Sequence, residues 1–489
     1  MRKALLVFLA VLTVVFCGYF TAWGWVQGTE TRVSWQETTI FGDRAVVDDL
    51  KVTASNTQSN RLLWETTGTL GDKLNPKTNF TFSNQYIHRD RPFTYSGLEM
   101  HTANDIYGMH DRKENRTPFE EKYFPDLVTF VQEAYDSVNP GDPETFFTVD
   151  MREYTPYYVF DGSIYLPNCP WGMWNLFDAS WYYDVPETVS TYLNDYFRIP
   201  IIGQYIIEFS VNKEFTGSTS MGGQVSLDYE PYFFGCANED ANYFSFPTRN
   251  ESGDIADTSL IPGGYGIYRL NYDYDENGIF HMGDPLVEMV YPLDPWVTYA
   301  GLEFSDDGKH LYLLTIEENS YYRTIIDIET MTQLQKLYLR ERNPDGYARH
   351  HQYEDFLVII QARDYDGTNA TLSLFSEDPD GLYTQEFTVS MDTEAFAPSR
   401  TMDLLGYDDF HMDYNGSTLA VGQNIPVTEP EYHRIFEDKC DFYILTYDAS
   451  GMTYAGLYEV NLSEINAEDD RCEGPCKIFH DIPIVLSWQ

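Results

Sequence analysis

The amino-acid sequence predicts an all-β protein, a β-propeller of about seven or eight four-stranded blades preceded by one N-terminal transmembrane helix. Three observations predict it: strand-like runs in groups of four, Asp-Gly or Asn-Gly turns between such runs, and one long apolar stretch at the N-terminus. Of the 489 residues, 43% are hydrophobic and 16% are aromatic, which excludes a disordered chain and is enough to bury a large core.

The apolar stretch extends from Ala4 to Val26 and follows the basic residues Arg2 and Lys3. A helix of that length covers about 34 Å, which exceeds the roughly 30 Å hydrocarbon layer of a bilayer. Positive charges favour the cytoplasmic side of a membrane span. The sequence therefore predicts an uncleaved anchor, and a signal peptide that is cleaved after Gly28 is the alternative.

This orientation divides the chain into four predicted segments. They are a cytoplasmic end at 1–3, a transmembrane signal-anchor helix at 4–26, a linker at 27–40 and an extracytoplasmic β-propeller domain at 41–489. The expected localisation is the cell membrane, with a single pass and the large domain outside the cytoplasm. The membrane is thus an expected partner, through residues 4–26.

The clearest predicted blade begins near Tyr299. Four strand-like runs follow one another in about 40 residues, the spacing of a propeller blade. These runs are 300–305, 309–316, 321–328 and 333–339. Asp306-Asp307-Gly308 separates the first two runs and predicts a hairpin.

The pattern recurs along the second half of the chain. Strand-like runs lie within 354–389 and 410–460, and 266–272 and 285–291 read as the outer strands of a further blade. Turn signals accompany them at Asp366-Gly367, Asp380-Gly381 and Asn415-Gly416. Period and turn chemistry over 265–461 resemble those of WD40-like and YVTN-like β-propellers, although the Trp-Asp dipeptide of WD40 blades is absent. That resemblance implies an architecture that serves many unrelated functions.

A second resemblance lies close to the predicted anchor. The stretch from Phe41 to Leu50 resembles the membrane-proximal start of uncharacterised membrane-anchored proteins of anaerobic Gram-positive bacteria. This family implies no function.

Residues 29–264 carry weaker signals. Strand-like runs at 61–67 and 204–211 fit further blades. A helix is predicted at 125–135, because Leu127, Phe130, Val131 and Ala134 recur with helical spacing on one face. A shorter propeller behind a separate β-rich domain of residues 29–200 is the alternative.

The charge of the chain limits its partners. There are 77 Asp and Glu against 31 Lys and Arg, for a net charge of −46. Binding to nucleic acid requires a basic surface that releases counterions, so no nucleic-acid partner is expected. An acidic surface aids solubility and can attract cations or basic envelope components.

One motif has the pattern of a calcium loop. Asp273, Asp275, Asn277 and then Gly278 follow the D-x-[DN]-x-[DN]-G pattern, with Asp284 at the position of the final acidic ligand. Alternating oxygen ligands and a glycine turn suit a hard ion with six to eight ligands, so calcium is a possible cofactor. An acidic hairpin tip is the alternative, because the flanking residues read as strands.

Aromatic residues are concentrated between 154 and 183. The predicted ligand-binding residues are Trp171, Trp174, Trp181, Tyr182 and Tyr183. Exposed rings can stack on sugars or other amphipathic ligands, and core packing is the alternative. The adjacent His350 and His351 are not expected to bind a metal, because neighbours on a strand point to opposite faces.

No catalytic residue is identified from the sequence. The G-x-S-x-G, P-loop and G-x-G-x-x-G motifs are absent, so the chain is expected to be a binding protein rather than an enzyme. The prediction is a membrane-anchored extracytoplasmic β-propeller that binds an unknown protein or glycan. The alternatives are an anchored carbohydrate-active hydrolase or lyase that uses channel carboxylates, and a purely structural envelope scaffold.

Overall fold

A computed structural model describes most of the chain in segments. The described residues are 2–29, 34–58, 62–71, 76–82, 97–103, 118–165, 173–175, 185–213, 219–237, 241–250, 253–274, 280–305, 307–342, 347–362, 370–391, 410–424, 442–461 and 484–489. The chain forms two compact units. The first unit comprises Met1–Arg91 and Asn343–Gln489, and the second comprises Pro92–Arg342.

Strands dominate both units. The helices are α1 (Arg2–Thr29), α2 (Pro118–Tyr123), α3 (Pro125–Ser137) and α4 (Val185–Tyr196). The strands are β1 (Ser34–Gly42), β2 (Leu50–Gln58), β3 (Leu62–Thr69), β4 (Lys77–Phe82), β5 (Glu99–Thr102), β6 (Thr145–Asp150), β7 (Phe160–Tyr165), β8 (Met173–Asn175), β9 (Tyr205–Lys213), β10 (Thr219–Leu227), β11 (Phe234–Ala237), β12 (Ala241–Ser245), β13 (Gly266–Tyr274), β14 (Phe280–Pro292), β15 (Thr298–Phe304), β16 (His310–Glu317), β17 (Ser320–Asp327), β18 (Thr332–Glu341), β19 (Tyr347–Gln352), β20 (Phe356–Ala362), β21 (Ala370–Glu377), β22 (Tyr383–Met391), β23 (Phe410–Tyr414), β24 (Leu419–Asn424), β25 (Phe442–Asp448), β26 (Gly451–Asn461) and β27 (Val485–Trp488).

Five of the sheets among the described residues have the strand order of propeller blades. In three of them four consecutive strands pair in sequence order: β11 to β14, β15 to β18, and β19 to β22. The other two are β27-β2-β3-β4 and β1-β26-β25-β24-β23. The pairing is antiparallel throughout, as in a four-stranded blade. The predicted all-β, β-propeller class of fold is therefore confirmed.

Local turn chemistry accounts for the hairpins that the sequence predicted. Gly308, Gly381 and Gly416 have φ angles of 70°, 77° and 89° and lie between paired strands. Glycine adopts this left-handed region without a steric cost. The predicted hairpin at Asp366-Gly367 lies outside the described residues.

Strands from the N-terminal and C-terminal parts of the chain pair in the first unit. The C-terminal strand β27 pairs with β2, and Val52 lies opposite Leu486. The strand β1 is the fifth strand of its sheet and pairs with β26. Residues 34–40 of the predicted linker thus belong to a paired strand. Both pairings join segments that are hundreds of residues apart in sequence.

Two side chains of β23 accept hydrogen bonds from main-chain N–H groups of β27. The N–H of Leu486 donates to Nδ1 of His411 (3.0 Å), and the N–H of Trp488 donates to the Asp413 carboxylate (2.5 Å). The Trp488 indole also donates to the carbonyl of Asp413 (3.1 Å). These bonds satisfy N–H groups on the side of β27 that faces away from β2, so they hold this short strand in place.

The His411→Leu variant tests this arrangement. It leaves the N–H of Leu486 without its acceptor, which we expect to weaken the attachment of β27 by about 1–3 kcal/mol. Hydrogen exchange at the amides of Leu486 and Trp488 measures the loss. Asp413→Asn, which keeps an acceptor oxygen, is the control. Unchanged exchange in His411→Leu would contradict the role assigned to this imidazole.

The second unit also contains two three-stranded sheets that depart from simple sequence order. They are β5-β7-β8 and β10-β9-β6, so that β6 follows β5 in the chain but pairs with β9. The helix α3 packs Leu127, Val131 and Ala134 into the core of this unit, which confirms the predicted helix and three of the four residues assigned to its buried face. Phe130, the fourth, is partly buried against the same core.

The N-terminal residues 2–29 are helical. In α1 the described apolar side chains, such as Val14 and Phe20, are exposed. Among the residues that the structure describes, no helix is both long enough and apolar enough to span a membrane. The transmembrane span predicted for residues 4–26 stays a prediction.

Candidate functional site in the second unit

The predicted calcium residues lie around the hairpin between β13 and β14. Asp273 is on β13, opposite His281, and Tyr274 pairs with Phe280 at the end of the ladder. Asp275 and Asn277 lie outside the described residues. The motif is flanked by strands, as expected for the alternative interpretation, an acidic hairpin tip.

The final acidic residue of the motif is separated from the hairpin end. Asp284 lies in an irregular stretch of β14, because Leu270 pairs with Val287 whereas Tyr272 pairs with Met282. Its side chain is exposed. Within the described ranges, no group of three or more His, Cys, Asp or Glu side chains could hold a metal ion.

Calcium binding at this hairpin stays a prediction with a simple test. A ligand that binds only the native state raises the melting temperature. If the loop binds calcium, we expect millimolar calcium to raise the melting temperature of the chain, and Asp273→Asn to abolish the rise. Magnesium at equal ionic strength is the control. An unchanged melting temperature would leave a plain hairpin.

Most of the predicted aromatic ligand surface lies outside the described residues. This applies to Trp171, Trp181, Tyr182 and Tyr183. Trp174 is on β8, opposite Ile164, and only its backbone is described. Ligand binding by this cluster stays a prediction.

The enzymatic alternative requires a carboxyl group with a raised pKa. Among the described Asp and Glu side chains with a resolved shift, this condition is met by Asp413. Burial raises its pKa, hydrogen bonds from the N–H groups of Trp488 and Tyr414 oppose the rise, and the nearby Asp355 adds to it. The carboxylate already accepts the N–H of Trp488, so it has a structural role in attaching β27.

A different feature has the properties of a binding site. Two connections, 246–265 and 293–297, leave the β11–β14 sheet at the same end, because Gly266 at the start of β13 lies opposite Pro292 at the end of β14. We call their described residues, 246–250, 253–265 and 293–297, the loop platform. Loops fixed at one end of a sheet are a common location of binding residues.

Hydroxyl groups hold the loop platform in place. Four tyrosine phenols donate to its main-chain carbonyls: Tyr265 to Phe246 (2.7 Å), Tyr229 to Pro247 (2.7 Å), Tyr196 to Pro262 (2.9 Å) and Tyr268 to Gly264 (2.7 Å). Two hydrogen bonds join the two connections. Thr248 Oγ1 donates to the carbonyl of Pro295 (2.6 Å), and the N–H of Leu293 donates to the carbonyl of Tyr265 (3.0 Å). The backbone of the platform is therefore preorganised.

Two of these tyrosines pack against a buried aromatic core. Phe197, which is 0% exposed, lies at ring-centroid distances of 4.7 Å from Phe233, 4.8 Å from Tyr268 and 4.9 Å from Tyr196. Two of the four phenols that hold the platform thus belong to rings packed on Phe197. Aromatic pairs in such edge and tilted geometries add to the stability that burial gives.

Burial keeps these phenols protonated. It raises the pKa of Tyr229, Tyr265 and Tyr268 above the ordinary value of 10.0, and that of the neighbouring Tyr158 to about 12. A neutral phenol can donate its proton to a carbonyl, whereas a phenolate cannot. The hydrogen bonds to the platform are thus stable across the physiological range.

These shifts predict a specific alkaline response. Because the folded-state pKa values lie above the unfolded value, the stabilisation is complete below about pH 10 and is lost as pH rises through the folded values. We expect exposed tyrosines to ionise near pH 10, and the buried ones only together with unfolding at higher pH. Phenolate absorbance and circular dichroism, recorded on one titration, measure both events. Ionisation of all tyrosines in one step near pH 10, in a chain that is still folded, would contradict the assigned burial.

The surface of the platform exposes a tryptophan. Trp296 is 63% exposed, and its backbone is fixed by a turn in which the N–H of Trp296 donates to the Asp294 carboxylate (2.9 Å). The Arg249 guanidinium lies over the indole at 5.6 Å from the ring centroid. In the part of the chain that the structure describes, the Arg249 side chain has no hydrogen bond or ion pair with a carboxylate.

Polar side chains lie on the same two connections as this pair. Asn250 and Asp254 close a small ring of hydrogen bonds, in which the N–H of Asp254 donates to Asn250 Oδ1 (2.7 Å) and Asn250 Nδ2 donates to the Asp254 carboxylate (3.1 Å). Asp254, Asp257 and Asp294 are exposed. An indole with polar groups around it can stack on a ligand and hydrogen-bond to its hydroxyl groups.

This site was not predicted from the sequence. The predicted ligand-binding residues form an aromatic cluster in sequence, whereas Trp296 is isolated and its partner Arg249 is far away along the chain. A usable signal was present in Asp294-Pro295-Trp296, since Asp followed by Pro predicts a turn that exposes the next side chain between two strands.

Comparisons with known proteins give weak structural matches. No protein-family model and no curated protein matches the chain. A putative 6-phosphogluconolactonase from Bacteroides fragilis has a TM-score of 0.27 at 10% identity, over 84% of this chain and 95% of that chain. The periplasmic gluconolactonase of Pseudomonas aeruginosa has a TM-score of 0.25 at 12% identity, over 83% of this chain and 93% of that chain. The WD40 domain of SCAP from fission yeast has a TM-score of 0.22 at 8% identity, over 83% of this chain and 71% of that chain. At these identities and TM-scores the matches assign no activity to this chain.

Proposed function

We propose that the protein is a membrane-anchored, extracytoplasmic binding protein whose ligand contacts the loop platform. The observation that carries this proposal is the exposed Trp296 on a short connection that Thr248 joins to 246–265, the connection that buried phenols hold in place. A large exposed aromatic on a fixed loop contributes little to folding. Its exposure is readily explained by contact with a ligand, and tryptophan is among the residues that contribute most to binding.

The anchor and the localisation belong to the proposal. Its support is the apolar stretch Ala4 to Val26 behind Arg2 and Lys3, which the positive-inside rule orients with the large domain outside. Alkaline carbonate extraction of membranes that contain the full chain tests the anchor, and protease treatment of spheroplasts tests the orientation. Release by carbonate, or protection of the large domain in intact spheroplasts, would contradict it.

Binding itself is tested with envelope material. The full chain in detergent is applied to immobilised polysaccharide and protein fractions of a cell envelope. We expect saturable retention that Trp296→Ala weakens by about tenfold or more. Phe146→Ala, which removes an aromatic side chain that is 72% exposed on β6, is the matched control. Equal retention of the wild type and Trp296→Ala would contradict a role for the platform.

The alternative, a carbohydrate-active hydrolase or lyase, has one observation in its favour, the raised pKa of Asp413. Asp413→Asn preserves an acceptor for the N–H of Trp488 and removes the titrating group, so it separates structure from chemistry. Release of new reducing ends from polysaccharide by the wild type, and its loss in a folded Asp413→Asn variant, would favour this alternative over pure binding.

A further inference from the structure

We infer that the loop platform binds an uncharged pyranose unit of a glycan, with the sugar ring stacked on Trp296 and its hydroxyl groups bonded to Arg249 and the neighbouring Asx side chains. This inference rests on the proposed function and names its ligand class. It depends on three features of the platform: an exposed flat ring, a surrounding set of hydrogen-bonding groups, and the sign of the local charge.

The flat ring is positioned for stacking. Trp296 is fixed by two hydrogen bonds to Asp294, one from its own N–H to the carboxylate and one from the N–H of Val297 to the main-chain carbonyl (both 2.9 Å). The carbonyl of Pro295 is bound by Thr248. The indole is therefore exposed without a mobile backbone, which lowers the entropic cost of binding. The C–H face of a pyranose is an apolar surface of matching size for such a ring.

The groups around the ring suit hydroxyl groups. Arg249 presents several donors in a planar fork, and the carboxylates of Asp254 and Asp294 are acceptors on the same two connections. A sugar hydroxyl can donate and accept at once, so it satisfies both kinds of group. A protein partner is better served by an apolar patch at the centre of the contact, whereas the exposed carboxylates of Asp254, Asp257 and Asp294 lie on the same two connections as Trp296.

Charge narrows the class of glycan. The platform exposes Asp254, Asp257 and Asp294, and the whole chain has a net charge of −46. Like charges disfavour a carboxylated or sulfated sugar. At the ring itself a cationic amino sugar would lie against the Arg249 guanidinium, and this repulsion opposes the attraction of the cation to the platform's carboxylates. An uncharged pyranose meets neither penalty.

The experiment compares ligand classes with one protein. The full chain in detergent is tested on an array of neutral, carboxylated, sulfated and amino glycans, together with envelope peptides. Affinities for the best ligand are then measured for the wild type and for Trp296→Phe, Trp296→Ala, Arg249→Met and the control Phe146→Ala. Circular dichroism confirms that each variant is folded.

We expect binding to neutral glycans, a loss of about tenfold or more in Trp296→Ala, a smaller loss in Trp296→Phe and Arg249→Met, and none in Phe146→Ala. Binding only to charged glycans or to peptides, if sensitive to Trp296→Ala, would overturn the inference and leave the proposed function standing. Binding to any class that is insensitive to Trp296→Ala would overturn both, and so would no binding at all.

Discussion

Replacing Phe197 with alanine is expected to destabilise the second unit by about 3–5 kcal/mol. The ring is fully buried, with five aromatic rings, those of Tyr196, Phe233, Phe244, Phe246 and Tyr268, within 6.5 Å of its centroid. Its removal leaves a cavity that rigid neighbouring rings fill poorly. Hydrogen exchange of the amides in β12 and β13, followed in increasing urea, measures the loss in this unit.

The same variant also affects the loop platform. Tyr196 and Tyr268 pack on Phe197 and donate to the carbonyls of Pro262 and Gly264. We therefore expect faster exchange in 253–265 as well. Phe146→Ala removes the same side chain from an exposed position and is expected to change stability by less than about 0.5 kcal/mol. Similar effects of the two variants would contradict the aromatic core assigned to Phe197.

Replacing Gly42 with alanine is expected to destabilise the attachment of β1 by about 3 kcal/mol. Gly42 has a φ of 77°, and an added Cβ would lie 1.9 Å from the carbonyl oxygen of Thr453 on β26. That atom belongs to the backbone of a paired strand and cannot move without breaking the ladder. The N-terminal strand would separate from the sheet, and Trp35, which is buried against Phe442, would become exposed.

A second glycine separates the two causes of this effect. Gly416 has a φ of 89°, and no atom lies within 4 Å of the position that a Cβ would take. Gly416→Ala therefore has the backbone strain alone, about 1–2 kcal/mol. Exchange of the amides is measured in β1 and β26 for Gly42→Ala and in β23 and β24 for Gly416→Ala. An effect of Gly42→Ala no larger than that of Gly416→Ala would contradict the close approach of β1 to β26.

The sequence predicted those parts of the fold that depend on local signals. The four strands β15 to β18 follow from alternating runs and from the turn at Asp307-Gly308, where the Asp307 carboxylate accepts the N–H of Lys309 (3.0 Å) and the Ser305 hydroxyl (2.7 Å). Both partners lie within two residues of Asp307. Such a turn can be predicted from the sequence because the residues that determine it are adjacent in the chain.

The pairings of distant segments could not be predicted. Glu37 on β1 lies opposite Tyr458 and accepts the hydroxyl of Tyr454 (2.9 Å), at a separation of more than 400 residues. The strand β27 has four residues, too few for a pattern of alternation to be recognised. In the segment between β5 and β10, the sheet order departs from the chain order, so the spacing of strands gave no guide to their partners.

The contact between Arg249 and Trp296 could not be predicted for a related reason. Arg249 and Trp296 meet only because Gly266 pairs with Pro292 and brings two connections to one end of a sheet. Local density in the sequence instead favoured the aromatic residues between 154 and 183 and the acidic residues after Asp273. Asp294-Pro295-Trp296 indicates an exposed turn, but no local pattern links it to Arg249, so the register of the strands was needed to find the complete site.

The most direct test of ligand binding at the loop platform is a hydrogen-exchange footprint. Exchange of the full chain is compared with and without the best ligand from the glycan array. We expect protection in 246–265 and 293–297 and none on β6 around Phe146, with the protection reduced in Trp296→Ala. Protection confined to the aromatic region 171–183, or to the strands β23 and β27 around Asp413, would contradict it and would place the ligand on one of the sequence-predicted alternatives.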